Sequence, residues 1–433
     1  MKRTVLVAAF IFLSAFVRVP AADWPQWHGP NRDGVSAETG LLQEWPTNGP
    51  AIVWTNASVG NGYGSVAVAD GTVYIAGAID GEGRLTALTT DGKAKWTHVY
   101  GAEHAGMYPG ARCTPTAHDG LVYVVSGPGV VSCVKAGAGD PVWKRDMVAD
   151  FNGRPSIKWG FGESVLIDGD RVICTPAGSN VTCVALNRKT GETIWRSPGL
   201  DQRHAMCSPV LLEHGKQRFI VTQVVRHIVG LSAKNGELLW TFEMLQNNHH
   251  DDAVKTFTPI CADGHVFVSC GGTKLGSVKL RLSDDGRSVT AAWSQPRFRT
   301  GIGGAVLCQG RLYGVAGREG WACVDWQTGG VLHVSDGVLG KKRRGACIVA
   351  DGMLYCRGLN GRFDLVRILP DRLVPAGSFT VPAPPKDKHW AHPAIANGVL
   401  FVRHKGTLLA LDCRAKRSAG HANERRDTKG VQR

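Results

Sequence analysis

The chemistry this sequence offers is concentrated in Tyr63, Arg112, Lys158, Trp159, His204, Arg299, Arg344, Trp390 and His392. They stand in irregular segments that also hold Tyr108, Arg343 and Lys388. Cationic and aromatic side chains in that mixture suit a small anionic or aromatic ligand, or an acidic stretch of a partner protein. The run Lys341-Lys342-Arg343-Arg344 reads equally well as a solvated loop. His249-His250-Asp251-Asp252 has ligand types for a divalent transition ion, but adjacent side chains in an extended loop point apart, so no metal is assigned. There is no His-Glu-x-x-His and no Gly-x-x-x-x-Gly-Lys-Ser/Thr loop, and no catalytic residue is assigned. The glycine-rich Gly60-Asn61-Gly62-Tyr63-Gly64-Ser65 leads into a strand, so it lacks the helix N-terminus that would hold phosphate.

The elements that must position these residues are hairpins. Tight turns recur at Asp70-Gly71, Asp119-Gly120, Asp168-Gly169, His214-Gly215, Asp263-Gly264, Gln309-Gly310, Asp351-Gly352 and Asn397-Gly398, at intervals of 42 to 49 residues. Each is flanked by alternating apolar residues, as in Thr72-Val73-Tyr74-Ile75. Asp-Gly and Asn-Gly supply the positive φ that two-residue hairpins need, and the interval belongs to propeller blades. A third strand, a second turn and a fourth strand ending in Trp complete each unit, with Trp96, Trp143, Trp195, Trp240 and Trp293 at the repeated position. These tryptophans are expected to pack between blades, far from the axis.

The prediction is an all-β, eight-bladed propeller of four-stranded antiparallel blades over residues 50–413. Its eighth unit ends at Leu408-Leu409-Ala410-Leu411 without a fourth strand, and Pro50-Ala51-Ile52-Val53-Trp54-Thr55 supplies the missing one. An N-terminal strand should therefore close the ring. The loops that lead from one blade to the next are long, emerge on one face and converge on the channel mouth, and they carry the nine residues named above.

Residues 1–22 read as an export signal: Lys2 and Arg3, the apolar run Thr4 to Val17, then Val19-Pro20-Ala21-Ala22. The apolar run is shorter than the roughly 20 residues of a spanning helix, so no membrane span is expected and the chain should be periplasmic or secreted, and monomeric. Residues 23–49 form a leader and 414–433 a basic tail expected to be disordered. The formal charge of +14 falls to about +6 on the folded body once the signal and the tail are set aside, which does not argue for nucleic acid. The twelve cysteines are scattered singly and should be mostly buried thiols; turns at Asp351-Gly352 and Gly178-Ser179 set Cys347 opposite Cys356 and Cys174 opposite Cys183, close enough to bridge at strained geometry.

Ala185-Leu186-Asn187-Arg188-Lys189-Thr190-Gly191-Glu192-Thr193-Ile194-Trp195, repeated as Gly230-Leu231-Ser232-Ala233-Lys234-Asn235-Gly236-Glu237-Leu238-Leu239-Trp240, resembles the pyrroloquinoline-quinone (PQQ) type of propeller repeat. The leader Asp23-Trp24-Pro25-Gln26-Trp27-His28-Gly29-Pro30-Asn31-Arg32-Asp33-Gly34 looks like that of exported bacterial members. The resemblance covers residues 23 to 413 and implies one of two functions: a non-catalytic scaffold similar to the lipoprotein of the outer-membrane barrel-assembly machinery, or a dehydrogenase dependent on PQQ and calcium. The dehydrogenase branch carries adjacent cysteines against its quinone and sometimes a haem domain. Here no two cysteines are adjacent and no Cys-x-x-Cys-His occurs. The leading expectation is a scaffold without cofactor, binding an envelope protein or a small anionic or aromatic ligand at the channel mouth.

Overall fold

The computed structural model describes residues 23–244, 257–269, 276–317, 319–340, 344–381 and 387–415. They form eight antiparallel four-stranded sheets. In the first blade the strands Ala67–Ala69, Thr72–Ile79, Glu82–Thr89 and Ala94–Ala102 follow one another outward from the axis. The last blade is built from Ala394–Ala396, Val399–His404 and Thr407–Asp412, and its outermost strand is Ala51–Asn56, paired antiparallel with Thr407–Asp412. The ring thus closes as the incomplete ends of the repeat require.

Two of the hairpins turn one residue later than expected. Asp70 and Gly71 both have positive φ, whereas in the third blade Asp168 pairs with Arg171, leaving Gly169 and Asp170 as the turn. His214 likewise pairs with Gln217 around Gly215 and Lys216. A glycine at the first turn position suffices for this second hairpin type. The shift makes Asp168 a strand residue, its carboxylate buried and paired with Arg218 of the next blade at 2.6 Å. The turn after Cys174 also shifts, through Ala177 at φ +57°, so Cys174 faces Val184 rather than Cys183. Cys347 does face Cys356, and the eleven described cysteines are free thiols.

Neighbouring blades are joined at the rim by the repeated tryptophan. The indole N–H of Trp96 donates to Ala136 O in the next blade, that of Trp143 to Arg188 O, that of Trp195 to Ala233 O and that of Trp293 to Trp326 O. Trp54 in the closing strand does the same to Thr90 O, so the seam between first and last blade is chemically like the others. The ring lies against the glycine of that turn: a Cβ on Gly139, at φ +77°, would stand 2.6 Å from Trp96. Trp240 departs from the pattern, its buried Nε1 without a partner, because the next blade turns instead through Ser283–Ser288 with Gly286 against Phe219.

The leader is an integral part of the propeller. Trp24 bridges Val68 on the innermost strand of the first blade, Ala117 N donates to Pro25 O in the second, and Arg32 donates to Ser164 O and Val165 O in the third. The chain then turns back, with Ser36 N donating to Val349 O and Val349 N to Gly34 O on the seventh blade. Residues 24–36 therefore rise into the central channel from the short-turn face and return, plugging it. Arg414 and Ala415, the first residues of the basic tail, belong to the fold: Leu41 bridges Arg414 and Ala415 N donates to Gly40 O.

If the rim tryptophans are the inter-blade fasteners, Trp195→Ala should destabilise the protein by about 3–5 kcal/mol, as truncation of a large buried aromatic does. Urea unfolding followed by circular dichroism measures this, and a loss below about 1 kcal/mol would contradict the assignment.

Candidate functional site

Above the leader plug, on the long-loop face, lies a cavity of about 650 Å³. Trp27, at the tip of the leader, contributes to its lining; one face of its indole is covered by His28, with ring centroids 3.7 Å apart and planes 11° from parallel. The inter-blade loops supply an aromatic wall. Tyr108 and Trp159 stack at 5.7 Å and 8°, Trp390 meets both edge-on at 4.7 and 6.4 Å, and Tyr63 lies 5.2 Å from Trp390. Met107, Met206, Ile302 and Leu359 complete the apolar lining.

The polar lining is mostly hydroxyl and amide. Ser65 N donates to Thr114 Oγ1, Thr114 N to Ser164 Oγ, Ser164 N to Ser208 Oγ and Ser208 N to Thr258 Oγ1, while Ser65 Oγ donates to His392 O. This lacing runs from blade to blade just before the innermost strands of the first five blades. Ser164, Ser208 and Thr258 line the cavity, as does Asn360. A hydroxyl that accepts an amide proton still has its own O–H to give.

Of the residues singled out in the sequence, Tyr63, Arg112, Trp159, Trp390 and His392 line the cavity. Arg112 is committed to its own loop: its guanidinium donates to Gly110 O, Met107 O and Tyr108 O at 2.9 to 3.0 Å. It thereby folds the loop that presents Tyr108. His204 is a core residue: fully buried, with Nδ1 3.1 Å from Thr175 O and its ring against Phe161, it is held at a pKa of about 4 by burial. Lys158, Arg299 and Arg344 are exposed and lie outside the lining. Arg299 donates to Pro296 O beside it. The expected positive ring is thus replaced, among the described residues, by Arg112 and by Lys388 beside Asp387, which pairs with Lys405 at 2.6 Å.

His249-His250-Asp251-Asp252 and Lys341-Lys342-Arg343 lie outside the described residues, as do the signal segment and the tail beyond Ala415. Among the described residues no three His, Cys, Asp or Glu side chains are grouped to hold a metal ion. None of their helices is long and apolar enough to cross a membrane.

Sequence reading missed Trp27 and His28. His392 Nδ1 lies 2.6 Å from His28 Nε2, and its Nε2 lies 3.3 Å from Ile302 O. A carbonyl only accepts, so the His392 proton sits on Nε2 and His28 donates to Nδ1. Both rings are neutral. Burial lowers His28 well below the usual histidine range, with His392 and Arg32 adding repulsion, and burial holds His392 at about 4. The signal for this contact was the Trp-His pair in the leader, whose partner lies 364 residues away.

With this geometry in view, the protein is an eight-bladed propeller of the PQQ-like repeat class. It belongs to the family described as outer membrane protein assembly factor BamB, which matches residues 105–333, more than half of the chain. Comparison by sequence with curated proteins returned no match. Among solved structures it is similar to BamB from Moraxella catarrhalis, at 12% identity over 84% of this chain and 99% of that one, TM-score 0.57. It is also similar to quinohemoprotein alcohol dehydrogenase from Comamonas testosteroni, at 13% identity over 92% of this chain and 81% of that one, TM-score 0.61. At such identities the likeness establishes the fold, and the fold serves both kinds of protein.

The histidine pair makes stability pH-dependent. An unfolded chain takes up protons on these histidines below about pH 6.5, while folded His392 resists until about pH 4. Their contribution is therefore intact above pH 6.5 and is lost as pH falls through that window. Glu163, buried and raised to about 7, acts with the opposite sign, its contribution fading as pH rises toward 7. The readout is thus the difference between two proteins: urea titrations between pH 7.5 and 4.5 should show a shallower acid loss for His392→Gln than for the parent. Parallel profiles would contradict the shared-proton arrangement.

Proposed function

We propose that this chain is an exported binding scaffold without catalytic activity, and that its working surface is the aromatic-walled cavity on the long-loop face. The observation that carries this reading is the convergence of Trp27, Tyr63, Tyr108, Trp159 and Trp390 on one cavity whose base is closed by the leader. Aromatic rings left facing a concave surface on a rigid scaffold are the usual makings of a ligand site. The apolar N-terminal segment and the family support action in the periplasm or outside the cell.

The second reading, a dehydrogenase using PQQ and calcium, is disfavoured by the donor set. PQQ is an anionic tricarboxylate and asks for several cations, and calcium asks for clustered oxygen ligands. Among the described residues the lining offers two cations, Arg112, already bonded to three carbonyls, and Lys388, and one carboxylate, Asp387, already held by Lys405 and His404. The described lining residues therefore do not fit the quinone.

The test uses 8-anilinonaphthalene-1-sulfonate, an aromatic anion whose fluorescence rises in apolar sites. Saturable enhancement is expected, weakened at least tenfold in Trp159→Ala/Trp390→Ala and unchanged in Lys216→Ala on the opposite face. Equal binding by the double variant would place the working surface elsewhere. Dye-linked alcohol oxidation after addition of PQQ and calcium should stay at background, and saturable turnover would restore the dehydrogenase reading.

A further inference from the structure

We infer that the cavity is built for a neutral carbohydrate, a sugar ring laid against Trp27. This rests on the cavity being the binding surface and assigns the chemical class of what it takes. A saccharide has two demands that rarely coincide in other ligands. Its axial C–H face packs on a flat aromatic ring, and its edge carries hydroxyls that each need a neutral hydrogen-bond partner.

Both demands are met around one point. Trp27 is half-buried, with one face occupied by His28, so what it offers the cavity is a fixed indole at the base rather than a mobile rim side chain. It is held by the leader on either side, through Trp24 with Val68 and through Arg32 with Ser164 O and Val165 O. Ser208 Oγ and Thr258 Oγ1, nearly buried and fixed by the amides they accept, also line the cavity and retain O–H groups to donate. Asn360 brings an amide at the rim, while the Asp387 carboxylate is already held by Lys405 Nζ at 2.6 Å and His404 Nε2 at 3.1 Å.

The charges argue against the other ligand classes. An anion would need a committed cation, but Arg112 spends its donors on Gly110, Met107 and Tyr108. Among the described residues the lining has one other cation, Lys388, a single ammonium without the paired guanidinium donors that grip a carboxylate or phosphate. A quaternary cation in an aromatic cage would have to share the cavity with the Arg112 guanidinium and Lys388. A planar aromatic ligand would stack on Trp27 and leave the hydroxyls of Ser208 and Thr258 facing apolar carbon. A saccharide is the ligand that uses both the indole and the hydroxyl row.

The experiment applies the full protein to a printed array of neutral and acidic glycans, followed by isothermal titration of the best neutral binder. Neutral glycans should be preferred over uronate-containing and sulfated ones. Binding should fall at least tenfold in Trp27→Leu and severalfold in Asn360→Ala, a rim change that leaves the plug untouched and so keeps the test valid if Trp27→Leu fails to fold. Binding of no glycan, preference for acidic ones, or full affinity in Asn360→Ala would overturn the inference. If the anilinonaphthalene dye still reports the Trp159 and Trp390 site while glycans fail, the carbohydrate assignment alone falls. If neither binds, the cavity itself is not the working surface.

Discussion

Everything in this molecule answers to the unpaired inner edges of the eight innermost strands. A propeller closes its outer rim by adding a strand, but around the axis each blade still presents backbone groups to the channel, and a buried amide without a partner costs about 1–3 kcal/mol. Here two devices satisfy part of that edge. The leader bonds to Val68, Ala117, Ser164, Val165 and Val349, and the Ser/Thr lacing passes an amide hydrogen bond from blade to blade through Thr114, Ser164, Ser208 and Thr258. The cavity is what remains of the channel above the plug.

Buried charge plays a positioning part around that mouth. Arg403 donates to the carbonyls of Gly60, Gly64 and Ala76, and Arg357 to those of Ala391 and Arg403; burial lowers both, to about 10 and about 9. Glu103 accepts from Tyr100 Oη, His104 N and Gly127 N, beside the loop that Arg112 folds. Each buried ion takes bonds from irregular backbone that would otherwise lack partners, and so fixes the loops that carry Tyr63, Tyr108 and Trp390. Of the cations that made the sequence look like an anion receptor, Arg112 gives its donors to the protein's own carbonyls, and Lys158, Arg299 and Arg344 lie exposed outside the cavity lining.

The fold was legible because it is local and repeated. A glycine turn, an alternating strand and a rim tryptophan recur within each unit, and the complementary ends at Ala51–Asn56 and Thr407–Asp412 announce closure. Half of the site was legible for the same reason: Tyr63, Trp159, Trp390 and His392 lie just before predicted inner strands, where the topology sends chain toward the axis. What could not be read is which way a side chain faces within a loop. His204 turned into the core against Phe161, and Arg299 stayed outside. The plug was also invisible, since no periodicity links His28 to its partner His392, 364 positions away. The one-residue turn shifts at Gly169 and Gly215 depend on φ at a single glycine, which the dipeptides Asp-Gly and His-Gly do not specify.

The central claim, that the leader is a structural plug beneath the cavity, is tested most directly by hydrogen–deuterium exchange of the native protein. The amides of Trp24, Gly34 and Ser36, which donate to Val68, His28 and Val349, should exchange as slowly as the strands they join. Exchange of residues 24–36 at the rate of a free peptide, with the blades still protected, would show that the channel is open and contradict the account.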